Sequence, residues 1–140
     1  MMDYGLDTSA LMRILTGEPQ HLAREVGSLA RQIIESGGVL HVSDTVVSEA
    51  YFAFQQHYRK TKEEAIYGLE TLSKTPGFLF SEGAKAALAQ PNAAHMSPGL
   101  VDRMIASDYS AQGLQTISCE KSFRRLPAAI VVSETDSPCN

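Results

Sequence analysis

The stretch Leu6-Asp7-Thr8-Ser9-Ala10-Leu11 joins a short first strand, residues 1–6, to a helix with apolar residues at positions 11, 12, 14 and 15. Asp7 therefore lies where a strand ends and a helix begins. In open α/β sheets, ligands bind at this edge, outside the carboxyl ends of the strands. The alternative is that Asp7 or Ser9 only caps the helix, because both side chains accept hydrogen bonds from free backbone N–H groups.

After this stretch, predicted helices and strands alternate along the chain. Apolar spacing and turn residues predict helices over 21–36, 45–58, 82–90 and 100–112, and one that begins after Thr61 and ends before Pro76-Gly77. Short apolar runs predict strands over 39–42, 78–80, 114–119 and 128–132. This order predicts a single α/β domain over residues 1–132 and a polar tail over 133–140. The domain is expected to have a mostly parallel central sheet of about five strands with helices on both faces.

Composition narrows the class of protein. A chain of 140 residues, 44% of them hydrophobic, is expected to form one globular domain with its own core. No apolar run is long enough to span a membrane and the N-terminus shows no export segment, which predicts a cytoplasmic protein without a membrane partner. Cys119 and Cys139 are too few for a disulfide framework and lack the spacing of a zinc site, so both are expected to be reduced.

The charge balance is acidic, with 12 basic and 16 acidic residues and a net charge of −4. Overall charge therefore does not indicate nucleic-acid binding. The excess of acidic residues is compatible with a cluster of acids at one site. A basic segment, Arg59-Lys60-Thr61-Lys62, joins the third helix to the fourth. Thr61 with Glu64 has the pattern of a capping box at the start of that fourth helix.

Three further carboxylates have placements like that of Asp7. Glu49 lies in the helix after the second strand, Asp102 begins the helix before the fourth strand, and Glu120 follows that strand. A right-handed parallel topology brings all four acids toward one edge of the sheet. Crowded acids repel one another unless a divalent cation or a proton compensates, and Mg²⁺ or Mn²⁺ prefers such oxygen ligands. The pattern predicts a metal site suited to hydrolysis of a phosphodiester.

Taken singly, each acid has a simpler explanation. Glu49 and Asp102 can be solvated acids that the helix dipole favours in a first turn. Glu120 precedes Lys121 and can be an exposed surface charge. Only the joint pattern favours the metal site.

Together, these motifs resemble those of a known family. In order they are Leu6-Asp7-Thr8-Ser9-Ala10-Leu11, Ser48-Glu49, Asp102-Arg103-Met104-Ile105-Ala106, and Ser118-Cys119-Glu120-Lys121-Ser122-Phe123 with Leu126-Pro127. Their order and spacing resemble the PIN domain over nearly the whole chain. More narrowly, they resemble the toxin of VapBC toxin–antitoxin pairs.

The resemblance implies which residues form the site. The catalytic, metal-binding acids of the family fall on Asp7, Glu49 and Asp102, and its small hydroxyl falls on Ser9. The fourth acid of the family is normally Asp, and here Glu120 takes that position. Ser122 likewise stands where a further acid often occurs.

The resemblance also implies an activity and partners. The expected protein is a Mg²⁺- or Mn²⁺-dependent endoribonuclease, usually a homodimer, held inactive by a small antitoxin protein. RNA requires local positive charge despite the net charge of −4. The predicted RNA contacts are the basic residues next to the motifs: Arg13, Arg103, Lys121, Arg124 and Arg125. The alternative for Arg124 and Arg125 is that they are solvated turn residues.

Two other functions stay open at this point. Glu120 and Ser122 favour a PIN-like domain with weakened catalysis that binds RNA or protein. A different metal-dependent nuclease or phosphatase can also be built on an α/β scaffold.

The predicted homodimer interface is on the third and fourth helices. They carry more apolar surface than one side of a small sheet requires, through Val46, Phe52, Tyr58 and Tyr67. His57 and His95 are not expected to be catalytic, because hydrolysis by a metal-activated water requires no histidine.

Overall fold

The structure is a computed structural model that describes residues 2–133. Its elements are β1 (Asp3–Gly5), α1 (Thr8–Thr16), α2 (Gln20–Glu35), β2 (Val39–Val42), α3 (Asp44–Gln56), α4 (Lys62–Ser73), β3 (Phe78–Phe80), α5 (Glu82–Ala89), α6 (Leu100–Ala111), β4 (Thr116–Ser118) and β5 (Ala129–Val131). Short 3₁₀ helices lie at Ala93–His95 and Lys121–Arg125. The predicted α/β class is confirmed, and each predicted helix and strand is found with only small shifts of its ends.

The chain forms two compact units, one up to Ala89 and the other from Gln90 onward. The first holds β1 to α5, and the second holds α6, β4 and β5. The single domain over residues 1–132 stays a prediction. Of the predicted tail over 133–140 only Ser133 is described, so the expectation for Cys139 lies outside the described residues.

Cys119 corrects one expectation. It is disulfide-bonded rather than reduced. A disulfide requires two Cα atoms within a few ångströms of each other, and spacing along the sequence does not contain that information.

All the strands of the described range pair in parallel. The first sheet has the order β1-β2-β3, with Gly5 opposite His41 and His41 opposite Leu79. β4 and β5 form a separate pair in which Ile117 lies opposite Ile130. The five predicted strands are therefore present, but they divide into a sheet of three and a sheet of two.

The core of the first unit lies on one face of the three-stranded sheet. Leu40, Val42 and Phe80 share this face, and none is more than 2% exposed. Ala30 and Ile33 of α2 pack against Leu40. The cluster is completed by partly buried apolar side chains: Leu6, Ile14, Ile34 and Phe78. Burying such aliphatic side chains contributes roughly 1.5–3 kcal/mol each, so this cluster fixes α2 on the sheet.

The remaining helices of the first unit pack on one another. α1 contacts α2 and α3, and α3 contacts α4. Leu11, Val47, Ala65 and Leu69, which come from α1, α3 and α4, are completely buried. This packing holds the start of α1, and therefore Asp7, next to α3. No helix within residues 2–133 is both long and apolar enough to cross a bilayer.

Two helix starts have capping side chains, and one of them was predicted from the sequence. Ser43 caps α3 by accepting a backbone N–H with its hydroxyl, 3.3 Å away. Thr61 and Glu64 form the predicted capping box at α4, each donating its backbone N–H to the other's side chain at 3.1 Å. These contacts satisfy N–H groups that a helix start otherwise leaves without a partner.

Candidate metal centre

Asp7 lies at the end of β1 and caps α1. Its Oδ1 accepts the backbone N–H of Ala10 and the hydroxyl of Ser9, both at 2.9 Å. The N–H of Ala10, and after it the hydroxyl of Ser9, lower the pKa of Asp7 below its ordinary value because they stabilise the charged form. The side chain is exposed. An exposed carboxylate held in its ionised form can bind a cation, so capping and metal binding are compatible.

Glu49 reaches the same place from α3. Its Oε1 accepts the hydroxyl of Thr8 at 2.5 Å, a contact between residues 41 positions apart. Because Thr8 follows Asp7 directly, this contact brings the two acids to the same end of α1. The hydroxyl of Thr8 therefore orients Glu49, and the hydroxyl of Ser9 orients Asp7.

Asp102 and Glu120 belong to the second unit. Asp102 lies in the first turn of α6 and is half-buried. Glu120 directly precedes the 3₁₀ helix Lys121–Arg125, is exposed, and donates its backbone N–H to the hydroxyl of Ser118 at 3.0 Å. The convergence of these two acids with Asp7 and Glu49 stays a prediction.

The oxygens of Asp7 and Glu49 suit a hard divalent cation such as Mg²⁺, which takes carboxylate and water ligands. The hydrogen bonds to these acids engage Oδ1 and Oε1. Each carboxylate therefore has a second oxygen to offer a cation. Within residues 2–133, no group of three or more His, Cys, Asp or Glu side chains is arranged to hold a metal ion.

The predicted RNA contacts differ in exposure. Arg103 is only 9% exposed, which limits its reach toward a large ligand. Lys121, Arg124 and Arg125 are exposed and share one 3₁₀ helix. Arg125 also donates from Nη1 to the carbonyl of Ser97 at 2.9 Å.

A family model for the PIN domain matches residues 4–129. The chain belongs to the PIN domain family. PIN domains are in general nucleases, so hydrolysis of nucleic-acid phosphodiesters is the activity of the family to which this PIN domain belongs.

Among solved structures, this PIN domain is similar to a chain in the crystal structure of VapBC2 from Rickettsia felis bound to a DNA fragment from their promoter. The two chains are 16% identical, and the similarity covers 95% of this chain and 98% of that chain with a TM-score of 0.36. No curated protein sequence matches the chain significantly.

Two residues of this PIN domain gain a role only from the structure. Thr8 positions Glu49, and a hydroxyl directly after Asp7 is the sequence signal that points to it. Tyr58, which the sequence places at the dimer interface, contacts Arg13, with its hydroxyl 3.4 Å from Nη1. No local pattern indicates that second contact, because Arg13 in α1 and Tyr58, just after α3, are 45 positions apart in sequence.

Proposed function

We propose that this PIN domain is a Mg²⁺- or Mn²⁺-dependent endoribonuclease and the toxin of a type II toxin–antitoxin pair. The observation that supports it best is the hydrogen bond from Thr8 to Glu49, because it holds a second exposed carboxylate beside the helix start that Asp7 caps. Carboxylate oxygens brought to one helix start from two different elements suit a hard divalent cation such as Mg²⁺.

In this proposal Asp7 and Glu49 hold the cation, and Asp102 and Glu120 complete the set. A bound divalent cation supplies Lewis acidity toward the phosphodiester and toward the attacking water. The contribution of the chain is orientation. Ser9 and the N–H of Ala10 keep Asp7 ionised and fixed, and Thr8 fixes the rotamer of Glu49.

The RNA strand is held by exposed basic residues. Lys121, Arg124 and Arg125 present three cations from one short helix, which suits contacts to successive phosphates. Arg103 is buried and is the weakest of the predicted contacts. Single-stranded RNA is the substrate class we propose, because a flexible strand can place a phosphodiester in line with the attacking water.

The partners are a second copy of the chain and a small antitoxin. The proposal of an antitoxin rests on the sequence motifs. Such a partner inhibits by laying a segment into a groove and placing a basic side chain near the acids. We expect expression of the chain alone to arrest bacterial growth, and coexpression of the antitoxin to relieve that arrest.

The decisive experiment is RNA cleavage by the purified protein in a Mg²⁺ titration. We expect cleavage to require the metal, to stop with a chelator, and to fall at least about 100-fold in Glu49→Gln, a loss on the scale seen when one catalytic group is removed. The control is Glu25→Gln, which removes one exposed carboxylate of α2. Equal cleavage by Glu49→Gln and the parent protein would contradict the proposed metal centre.

A second candidate function is a PIN domain that binds RNA without cutting it. Glu120 and Ser122 favour it, because they stand where the resemblance implies Asp and a further acid. Metal-independent RNA binding without cleavage at any Mg²⁺ or Mn²⁺ concentration would support this function over the nuclease.

A further inference from the structure

We propose that a cleft at the far end of the α1–α3 pair binds the sugar–phosphate backbone of the substrate RNA. The cleft has a volume of about 520 Å³ and is lined by Arg13, Glu18, Pro19, His57, Tyr58 and Arg59. The identity of the ligand as RNA rests on the proposed function. Arg13 is a predicted RNA contact, whereas the sequence gives the other lining residues no such role.

The cleft and the acids occupy opposite ends of one helix pair. Thr8 contacts Glu49 at the start of α1, and Arg13 contacts Tyr58 toward its end. The later residue of α1 contacts the later residue of the 49–58 segment, so α1 and this segment run in the same direction. Arg13 lies about 9 Å along the helix axis from Asp7. An oligonucleotide can therefore reach the acids and the cleft at the same time.

The lining is built to hold anions. Arg13 is half-buried, and its contact with the Tyr58 hydroxyl through Nη1 orients the guanidinium and leaves its other N–H groups for a phosphate. Arg59 also lines the cleft and is exposed, and Glu18 is the acid of the lining. Planar guanidinium groups bind phosphate oxygens in pairs, which makes arginine the preferred residue for this contact.

The connection between α3 and α4 is fixed rather than free. Arg59 has a φ of 53°, a left-handed conformation that is uncommon outside glycine. The N–H of Lys60 donates to the carbonyl of Phe54 at 2.9 Å and closes the turn. The backbone at Arg59 is therefore set beside the cleft before any ligand binds, so binding does not have to order this turn.

The cations continue beyond the cleft. Lys60 and Lys62 are exposed and follow Arg59 on the same connection. The basic segment that the sequence shows between the third and fourth helices thus begins at Arg59 on the cleft that Arg13 also lines, although the chain as a whole has a net charge of −4. A row of cations at such spacing suits a strand of phosphates better than one small anion.

Helix dipoles support that preference. α1 and α3 both end near the cleft, and free carbonyls at helix ends carry a negative partial charge. This charge opposes a single phosphate bound between Arg13 and Arg59. Affinity must therefore come from several phosphates that contact Arg13, Arg59, Lys60 and Lys62 together. We expect binding to strengthen with oligonucleotide length, and inorganic phosphate to compete poorly.

The test measures binding of a fluorescent single-stranded oligouridylate to the full chain carrying Asp7→Asn, which prevents cleavage. Arg59→Gln and Arg13→Gln are each expected to weaken binding about ten-fold at low salt, the scale of a lost charge-assisted hydrogen bond. Each is also expected to lower the slope of log affinity against log salt by about 0.7. The matched control is Lys74→Gln with Lys85→Gln, two cations of α4–β3 and α5 outside the cleft.

Arg59→Gln is the decisive variant because its side chain is exposed, so its substitution does not disturb the core. Circular dichroism tests whether the Arg13→Gln variant, which is substituted at a half-buried position, still folds. In the chain with Asp7 intact, Arg59→Gln is expected to raise KM for RNA cleavage and to leave kcat within a factor of about two, the signature of lost binding that is uniform between substrate and transition state.

The outcomes separate this inference from the proposed function. Unchanged RNA affinity in Arg59→Gln and Arg13→Gln overturns the inference even if Asp7→Asn abolishes cleavage. The inference is also overturned if the two substitutions weaken binding of an acidic polypeptide such as polyglutamate but not binding of RNA. Cleft-dependent RNA binding by a chain that never cleaves RNA supports the inference and overturns the nuclease. A parent chain that binds no RNA overturns both.

Discussion

At the start of α1, the carboxylate of Asp7 closes the helix and remains available to a ligand. Its Oδ1 accepts two hydrogen bonds, from Ala10 and Ser9, and these bonds lower its pKa. The same contacts that stabilise the helix therefore keep the negative charge in place. Structural and catalytic roles of Asp7 can be separated only by substitutions that remove one and retain the other.

Asp7→Asn and Asp7→Ala make that separation. Asparagine caps helices about as well as aspartate, whereas alanine costs about 1 kcal/mol of stability. We expect Asp7→Asn to unfold at nearly the same urea concentration as the parent protein, and Asp7→Ala to unfold earlier. Both are expected to lose RNA cleavage, because neither supplies the charge. Cleavage retained by Asp7→Asn would leave Asp7 with the capping role alone.

Glu120 is the residue at which this chain departs from the acid that the resemblance implies. Its side chain is exposed and longer than aspartate by one methylene. Such a side chain fits a position that acts on a hydrated cation through a water, since Mg²⁺ keeps several of its waters. On this hypothesis Glu120 supplies charge rather than a direct bond.

Substitutions at Glu120 test charge against length. Glu120→Gln keeps the size and removes the charge, and we expect it to lose most RNA cleavage. Glu120→Asp keeps the charge and is expected to retain or improve cleavage. The measurement is the initial rate at limiting Mg²⁺. If Glu120→Gln cuts RNA as fast as the parent protein, Glu120 is a surface charge and the site rests on three acids.

Among the elements, α4 shows how a local signal sets a boundary. Thr61 and Glu64 exchange two hydrogen bonds at 3.1 Å, and the backbone N–H of Thr61 lowers the pKa of Glu64. The helix then runs to Ser73 and buries Ala65 and Leu69. The box therefore sets where α4 begins.

Thr61→Ala is expected to lower the free energy of unfolding by about 1 kcal/mol, the usual cost of losing an N-cap hydroxyl. Thr71→Ala is the matched control, because it makes the same change at an exposed position inside α4. There alanine has the higher helix propensity, so stability is expected to stay the same or rise slightly. Urea denaturation measures both. Equal stability of the two variants would show that the capping box contributes little.

For the whole molecule, the exposed apolar residues on α3 and α4 bear on assembly. Tyr67 is 73% exposed and Phe52 is 47% exposed, whereas Val46 and Tyr58 are half-buried. We expect these large apolar side chains, left in water on neighbouring helices, to belong to an interaction surface. The predicted homodimer would therefore depend chiefly on Tyr67 and Phe52.

The double variant Phe52→Ser with Tyr67→Ser is expected to shift the chain from dimer to monomer without loss of folding, because both side chains are largely outside the core. Size-exclusion chromatography with light scattering, over a range of protein concentrations, measures the change. Tyr109→Ser on α6 is the control, with a side chain 42% exposed. A parent protein that stays monomeric at the highest concentration would contradict the predicted dimer.

The sequence by itself determined the elements and the chemistry of the acids. Strands 39–42 and 78–80, the capping box at Thr61, and the strand-to-helix position of Asp7 follow from local patterns. Local patterns predict these features because backbone conformation and helix capping depend on residues that are neighbours in sequence. The motif order also indicated the PIN domain, which the family match over residues 4–129 confirms.

Only the tertiary structure decided which distant residues meet. It divides five parallel strands into sheets of three and two. It leaves Leu29 57% exposed, although Leu29 lies one turn from the buried Ile33 on the same face of α2. It also joins Thr8 to Glu49 and Arg13 to Tyr58. Periodicity shows that a face is apolar but not which surface covers it, and a contact across 41 residues depends on how α1 and α3 pack.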